Sequence, residues 1–495
     1  MYKKIVVRCA LLVMMVLLSS CGSPRVLTVM QSSVSMGDPH IASDASNRLG
    51  ILFTVYEALV KLDEAGNIQP SLAERWEVGE DVRTWTFFLR EGVTFHNGEV
   101  MNASDVVATL GRVLDPSIGG SFGTQGVYIS YLGTAEITAV DELTVRIVTA
   151  EPMADLLDLL LAMPISPASE LDKLPGEYTG SGPYKIVELT DDRLVVAAHE
   201  EYWGETPEYS EIHWIAERDR ESRVEAVMNG DADIASGIGI DGKNRIDSEG
   251  GTEAREWDSG LAIIFMANSQ EGPCRDPRVR QALNYAVDVD RIIAEIKQGA
   301  AKPLNGFLTP HHFGYNPDTP VYPYDPERAR SLLAEAGYAN GLTLVFDIPA
   351  SMPDEAPALA RMMAEQYSQV GITLEIVVHE DRAAYSEMVR EKDIRDAAAF
   401  DSSPRSTYRV LMEKIHSGRR GPWWEGYTNL EVDSLIERAQ QTIDRNERQA
   451  IYRQAYQIIR DDAPWIFLYR PTRYWAVSPS LGDWVPRADG LLIWS

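Results

Sequence analysis

The amino-acid sequence predicts an α/β protein, and three observations predict it. Segments with the two-residue period of half-buried strands alternate with segments of helical period from Pro24 to Ser495. No low-complexity linker interrupts that alternation, which favours one continuous body over separated beads. The chain is 495 residues long, which at about 150 residues per domain suggests two or three domains.

Taken in chain order, the first segment is an export signal. Lys3, Lys4 and Arg8 precede an apolar run from Cys9 to Leu18, and Leu18-Ser19-Ser20-Cys21 follows. A membrane span needs about 20 apolar residues, roughly twice the length of this run, so a cleaved leader is expected rather than a retained helix. Small residues before a cysteine resemble the lipobox of bacterial lipoproteins. That resemblance implies residues 1–20 as signal peptide, lipid on Cys21, a tether over 21–26, and a location outside the cytoplasm on the cell membrane.

In Thr84-Trp85-Thr86-Phe87-Phe88-Leu89 the alternation puts Trp85, Phe87 and Leu89 on one face of a strand. Asn102, with Asp105 three residues on, caps a helix whose stripe is Val106, Val107, Leu110 and Val113. Asp276-Pro277 and Asp325-Pro326 each place an acidic cap before a proline at the first helical position. The first of these helices turns Val279, Leu283, Ala286 and Val287 inward, and the second stops at Gly337. Val432, Leu435, Ile436 and Ala439 form another stripe, then Asp444 with Glu447 opens a helix carrying Ile451, Ala455, Ile458 and Ile459. Trp465 to Tyr469 reads as a buried strand. No internal repeat is found.

Composition excludes several function classes. With 46 Lys and Arg against 74 Asp and Glu the net charge is −28, which argues against nucleic acid and against a polybasic membrane face. Of three cysteines, Cys9 lies in the leader and Cys21 would take lipid. Cys274 is then alone, so no disulfide is expected within the mature chain, and it reads as a small buried filler.

Ordered short stretches carry a family resemblance over nearly the whole mature chain. They include Gly37-Asp38-Pro39-His40, Val55-Tyr56-Glu57-Ala58-Leu59, Pro70 to Trp76, Leu89 to Gly98, Gly180-Ser181-Gly182-Pro183-Tyr184, Gly230 to Ile234, Val279 to Leu283 and Leu332 to Tyr338. Together they resemble the family-5 extracellular solute-binding proteins of ABC importers, the dipeptide, oligopeptide and nickel-binding class. The resemblance implies a two-lobed fold like that of periplasmic binding proteins, with an interlobe cleft and hinge strands. Crossings are expected near Leu261 to Asn268 and near Trp465 to Tyr474, giving lobe I as 27–265 plus 470–495 and lobe II as 266–469. It further implies a monomer that hands its solute to a permease and its ATPases. Read physically, most of these motifs are turns and chain breaks rather than sites.

The eight histidines are scattered, no His-Glu-x-x-His occurs, and His311-His312 has the wrong spacing for a helix-borne metal site, so neither metal nor cofactor is expected. Gly119-Gly120-Ser121-Phe122-Gly123 matches the nucleophile-elbow pattern but follows a helix ending near Asp115-Pro116, whereas an elbow needs a strand before it. It reads as a glycine-rich loop, with a Ser121 hydrolase as the distant alternative to a protein that catalyses nothing.

By the family resemblance, Ser43-Asp44-Ala45 lines the cleft from lobe I, Tyr128 contacts ligand, and Asp401 pairs with the α-ammonium of a short peptide. The chain lacks the Gly-Trp that usually precedes that aspartate, and Asp401 can also be read as the cap of a helix starting near Pro404. Arg405 or Arg409 suits a ligand carboxylate. Trp423, Trp424 and Tyr427, beside Gly421-Pro422 and Gly426, suit either ring stacking on a solute or wedging in the core. An oligosaccharide or a nickel chelate is the alternative solute.

Overall fold

The computed structural model describes residues 25–41, 43–64, 66–118, 127–351, 353–487 and 489–494. The leader, Cys21 and the Ser121 loop lie outside the described residues.

Two sheet halves are joined by one long strand. In the first half, Val26–Gln31 pairs in parallel with Glu211–Ala216, which continues antiparallel to Arg193–Ala198 and then to Tyr184–Leu189. In the second half, Leu342–Pro349 is parallel to Ile372–His379 and to Ala397–Ser402, and the last of these runs antiparallel to Ala262–Ala267. Trp465–Val477, 13 residues long, belongs to both. Its first part pairs with Ala262–Ala267 and with Ala301–Pro303, and its second with Glu253–Asp258 and Ile234–Ala235. The chain therefore changes sheet half through Ser259-Gly260-Leu261 and again between Pro471 and Thr472. Trp465 to Tyr469 is only the first part of that strand, which continues past the residues that look apolar because its later backbone pairs with the other half.

A separate four-stranded antiparallel sheet holds Ala73–Val78, Thr84–Leu89, Thr144–Val148 and Glu136–Asp141. Trp85, Phe87 and Leu89 are buried, as the alternation predicts. Behind them lies helix Ala103–Val113, where Asn102 and Asp105 form a reciprocal capping box; Val106, Leu110 and Val113 are buried and Val107 is half-buried. Helices Pro277–Tyr285, Pro326–Glu335 and Arg445–Asp462 start at Asp276, Asp325 and Asp444, each of whose carboxylates accepts a first-turn N–H.

Packing does not divide where the sheet does. One apolar cluster runs from Leu59, Phe87 and Leu156 of the antiparallel sheet layer to Leu435, Tyr452 and Ile459 of the late helices. Asp155 is buried at that junction, accepting from Gln440 Nε2 at 2.8 Å and facing Arg448 Nε at 3.1 Å.

Several of the motifs that carry the resemblance meet in one structural knot. A Cβ on Gly180 or Gly182 would lie 2.0 or 2.7 Å from the Val55 carbonyl oxygen, so only glycine lets the segment before strand Tyr184–Leu189 pass the end of helix Ser46–Val55. Glu57 is buried beside them and accepts from Ser181 Oγ at 3.0 Å, Tyr202 Oη at 2.9 Å and Trp203 Nε1 at 2.8 Å. Burial pushes its pKa up against those three donors. Cys274 is fully buried, with its thiol pushed up to about 12, in keeping with a packing role.

Candidate functional site

A cavity of about 1020 Å³ opens beside both chain crossings, with residues of the first sheet half on one wall and of the second on the other. Such concave spaces between layers are where small solutes bind.

The second-half wall is built on Ala397–Ser402. Ala397, Ala398 and Ala399 are buried in the middle of the sheet, and Asp401, opposite Ile263, comes out where the strand reaches the cleft. Ser406, not Asp401, caps the helix that follows, Thr407–Lys414: its hydroxyl accepts from Arg409 N at 3.3 Å. The cap reading of Asp401 is thereby corrected, because the strand continues to Ser402 and the helix starts three residues after Pro404. Asp401 makes no hydrogen bond or ion pair to another side chain among the described residues; burial raises its pKa, partly offset by Lys414 and Arg382.

Arg409 and Glu413 share a face one turn apart, with Nε to Oε1 at 2.9 Å. Arg409 also reaches across the cleft to Asp44 at 2.9 Å, and Tyr131 donates to Glu413 at 2.6 Å. Burial works to raise the Asp44 pKa, but the charge and hydrogen bond of Arg409 outweigh it and the pKa is lowered. Arg405 donates to Ser46 Oγ at 3.0 Å, a second bond between the walls. His312 fixes the segment between strand and helix: Nε2 meets the Pro404 carbonyl at 2.7 Å while Nδ1 accepts from Thr309 N at 3.2 Å. That pattern needs a neutral ring, and burial lowers its pKa to about 4.

Trp423 lines the cleft with its ring 4.9 Å from Phe400. The Lys414 ammonium sits 5.3 Å from the Phe400 ring and 5.6 Å from the Trp423 ring. Trp424 and Tyr427 do not line it. Both are buried, Trp424 donating to the Tyr427 carbonyl at 2.6 Å and Tyr427 to Asp462 at 2.6 Å, so the loop offers the cleft one ring rather than three.

The facing wall contains Ser43, Asp44 and Ala45, and beyond them Arg218, Arg220 and Arg223. Asp219 caps helix Arg220–Asn229, and Arg223 on its first turn donates to the carbonyls of Glu217, Arg218, Ser236 and Gly237. Arg473 projects from the crossing strand opposite Trp257. Tyr128 is not part of this lining. It borders a second cavity of about 630 Å³, reached past Asp44, Arg405 and Arg409, and donates to the Ala162 carbonyl at 3.3 Å.

The structure thus brings Ser43, Asp44, Ala45, Asp401, Arg405, Arg409 and Trp423 together and leaves out Tyr128, Trp424 and Tyr427. Arg218, Arg220, Arg382, Glu413, Lys414 and Arg473 also line the cleft and were not singled out in the sequence. No group of three or more metal-ligating side chains occurs among the described residues, and none of their helices is long and apolar enough to cross a membrane.

Residues 67–403, more than half of the chain, match the family model of bacterial extracellular solute-binding proteins, family 5. The heme-binding protein A of Haemophilus influenzae is 29% identical over 472 residues, covering 88% of this chain and 85% of that protein. The dipeptide-binding protein of Escherichia coli K12 is 28% identical over 451 residues, covering 84% and 83%. Among solved structures, HbpA2 from Haemophilus parasuis superimposes with a TM-score of 0.80 at 22% identity, covering 94% of this chain and 98% of that one.

Proposed function

Because this chain belongs to the family-5 bacterial extracellular solute-binding proteins, we propose that it captures a short peptide between its two lobes and delivers it to an ABC permease. One observation carries the peptide reading. Asp401 presents a desolvated carboxylate to the cleft with no side-chain partner of its own, and a peptide α-ammonium would supply a charge-assisted hydrogen bond there. Closure follows if the solute touches both walls, since only affinity that differs between open and closed forms shifts their equilibrium. The protein is a binder that catalyses nothing, and ATP hydrolysis belongs to its partners. Thermal-shift and calorimetric titration with free and N-acetylated di- to pentapeptides test the reading. Free peptides should raise the melting temperature and lose affinity on acetylation or in Asp401→Asn; equal binding by acetylated peptides would overturn it.

Trp423 beside Phe400 favours a second reading, an oligosaccharide stacked on those rings. Stabilisation by a neutral sugar and by no peptide would select it.

We take lobe I as 27–265 plus 470–495 and lobe II as 266–469, with the two changes of sheet half as hinges. We also read residues 1–20 as a leader and Cys21 as lipid-bearing, tethering a monomer to the membrane beside its permease. Mass spectrometry of the membrane fraction tests this: a Cys21→Ser chain should be released and lack the acyl mass.

A further inference from the structure

We infer that the solute is polyanionic: a molecule of peptide size with at least two carboxylate or phosphoryl groups, and more negative than positive charges. This rests on the reading of the cleft as the solute site and specifies what enters it.

The chain as a whole carries −28, yet the cleft lining reverses that balance, with nine cationic side chains against four carboxylates. Three of the four carboxylates already have an arginine partner within the protein. Asp38 pairs with Arg112 at 2.5 Å, and Arg409 serves both Asp44 and Glu413 at 2.9 Å. Asp401 is left as the single carboxylate open to a ligand cation.

The cations are not neutralised to match. Arg218, Arg220 and Arg473 are exposed to the cleft, and their side chains make no hydrogen bond or ion pair among the described residues. Arg220 and Arg473 line the same cavity, one from the first turn of its helix and the other from the crossing strand. On the other wall Lys414 is 2% exposed, is seated against Phe400 and Trp423, and has no hydrogen-bond partner among the described residues.

A concave, low-dielectric wall focuses the field of such charges, and guanidinium forks suit carboxylate and phosphoryl oxygens. Like charges held together in this way are relieved by a counter-charge, and Asp401 can meet only one cation of the solute in return. A neutral zwitterionic peptide would satisfy Asp401 and a single arginine, leaving the rest of the cluster to water. A solute with two or more acidic groups engages both walls at once.

Calorimetric titration of the full chain in about 0.15 M salt separates the possibilities, using trialanine, Ala-Glu-Glu, Ala-Lys-Lys and the non-peptide tricarboxylate citrate. Ala-Glu-Glu should bind at least tenfold more tightly than trialanine, about 1.4 kcal/mol. Its affinity should fall with added salt, and an Arg220→Gln/Arg473→Gln chain should lose that tenfold preference with an unchanged urea midpoint. Trialanine or Ala-Lys-Lys binding as tightly as Ala-Glu-Glu would overturn the inference while leaving the peptide reading in place. Citrate binding without any peptide would uphold the inference and remove the peptide reading. Binding by none of the four at about 1 mM, where free energies are near −4 kcal/mol, would overturn both.

Discussion

The two walls of the cleft bear charge in different ways. On the wall that carries Asp401, Arg409 and Glu413 are buried and held by each other and by Tyr131, and Lys414 is buried against Phe400 and Trp423. On the wall formed by Arg218, Arg220 and the crossing-strand Arg473, the guanidinium groups are solvated. A buried charge lattice costs desolvation whether or not solute is present, so its geometry is set in advance. A solvated cluster costs little to hold and acts at longer range, through steering and salt-sensitive attraction. The first wall is thus suited to orienting a solute and the second to selecting its charge.

The largest expected effect comes from breaking the buried wall. Arg409→Met leaves Asp44 and Glu413 without their shared cation, which should cost about 3–5 kcal/mol of unfolding free energy in urea. A loss below about 1 kcal/mol would mean that the network is solvated like a surface pair.

Acid should loosen the same wall. His312 must be neutral to accept from Thr309 N, and its pKa falls from 6.5 unfolded to about 4 folded. Between those values the unfolded chain binds more protons, so stability is full above pH 6.5 and declines as pH falls toward 4, by on the order of 3 kcal/mol from this group. In His312→Gln, which cannot titrate, that part of the acid limb should flatten in urea melts taken across the range. An unchanged slope would place the acid sensitivity elsewhere.

Asp401→Asn should weaken free-amine peptides by about 2 kcal/mol, roughly 30-fold, and leave N-acetylated ones unaltered. The smallest effect is expected on the solvated wall. Arg218→Gln should move the urea midpoint by no more than about 0.5 kcal/mol. It should still reduce the salt dependence of acidic-peptide binding, and a large stability loss would show that Arg218 is structural.

Local chemistry made much of the fold legible beforehand. Caps at Asn102, Asp276, Asp325 and Asp444 start helices as read, because an acceptor side chain at a helix start acts within a few residues. The resemblance motifs were readable as structure, and the Glu57 knot with Gly180 and Gly182 gives the physical reason. The site was less legible. Trp423 and Trp424 are neighbours in one loop, and only packing decides that one lines the cleft and the other turns inward. Arg220 and Arg473 are separated by about 250 positions and meet only because the long strand crosses between the halves. Asp401 was read as a ligand partner or as a helix cap, because Asp and Ser so often start helices; that it ends the strand Ala397–Ser402 emerges only from the sheet pairing.

Hydrogen exchange of the full chain with and without saturating Ala-Glu-Glu tests most directly that one solute bridges the two walls. Protection should rise together around residues 216–223, 400–414 and 470–475. Protection confined to one wall, or appearing only around the second cavity near Tyr128 and Phe313, would contradict it.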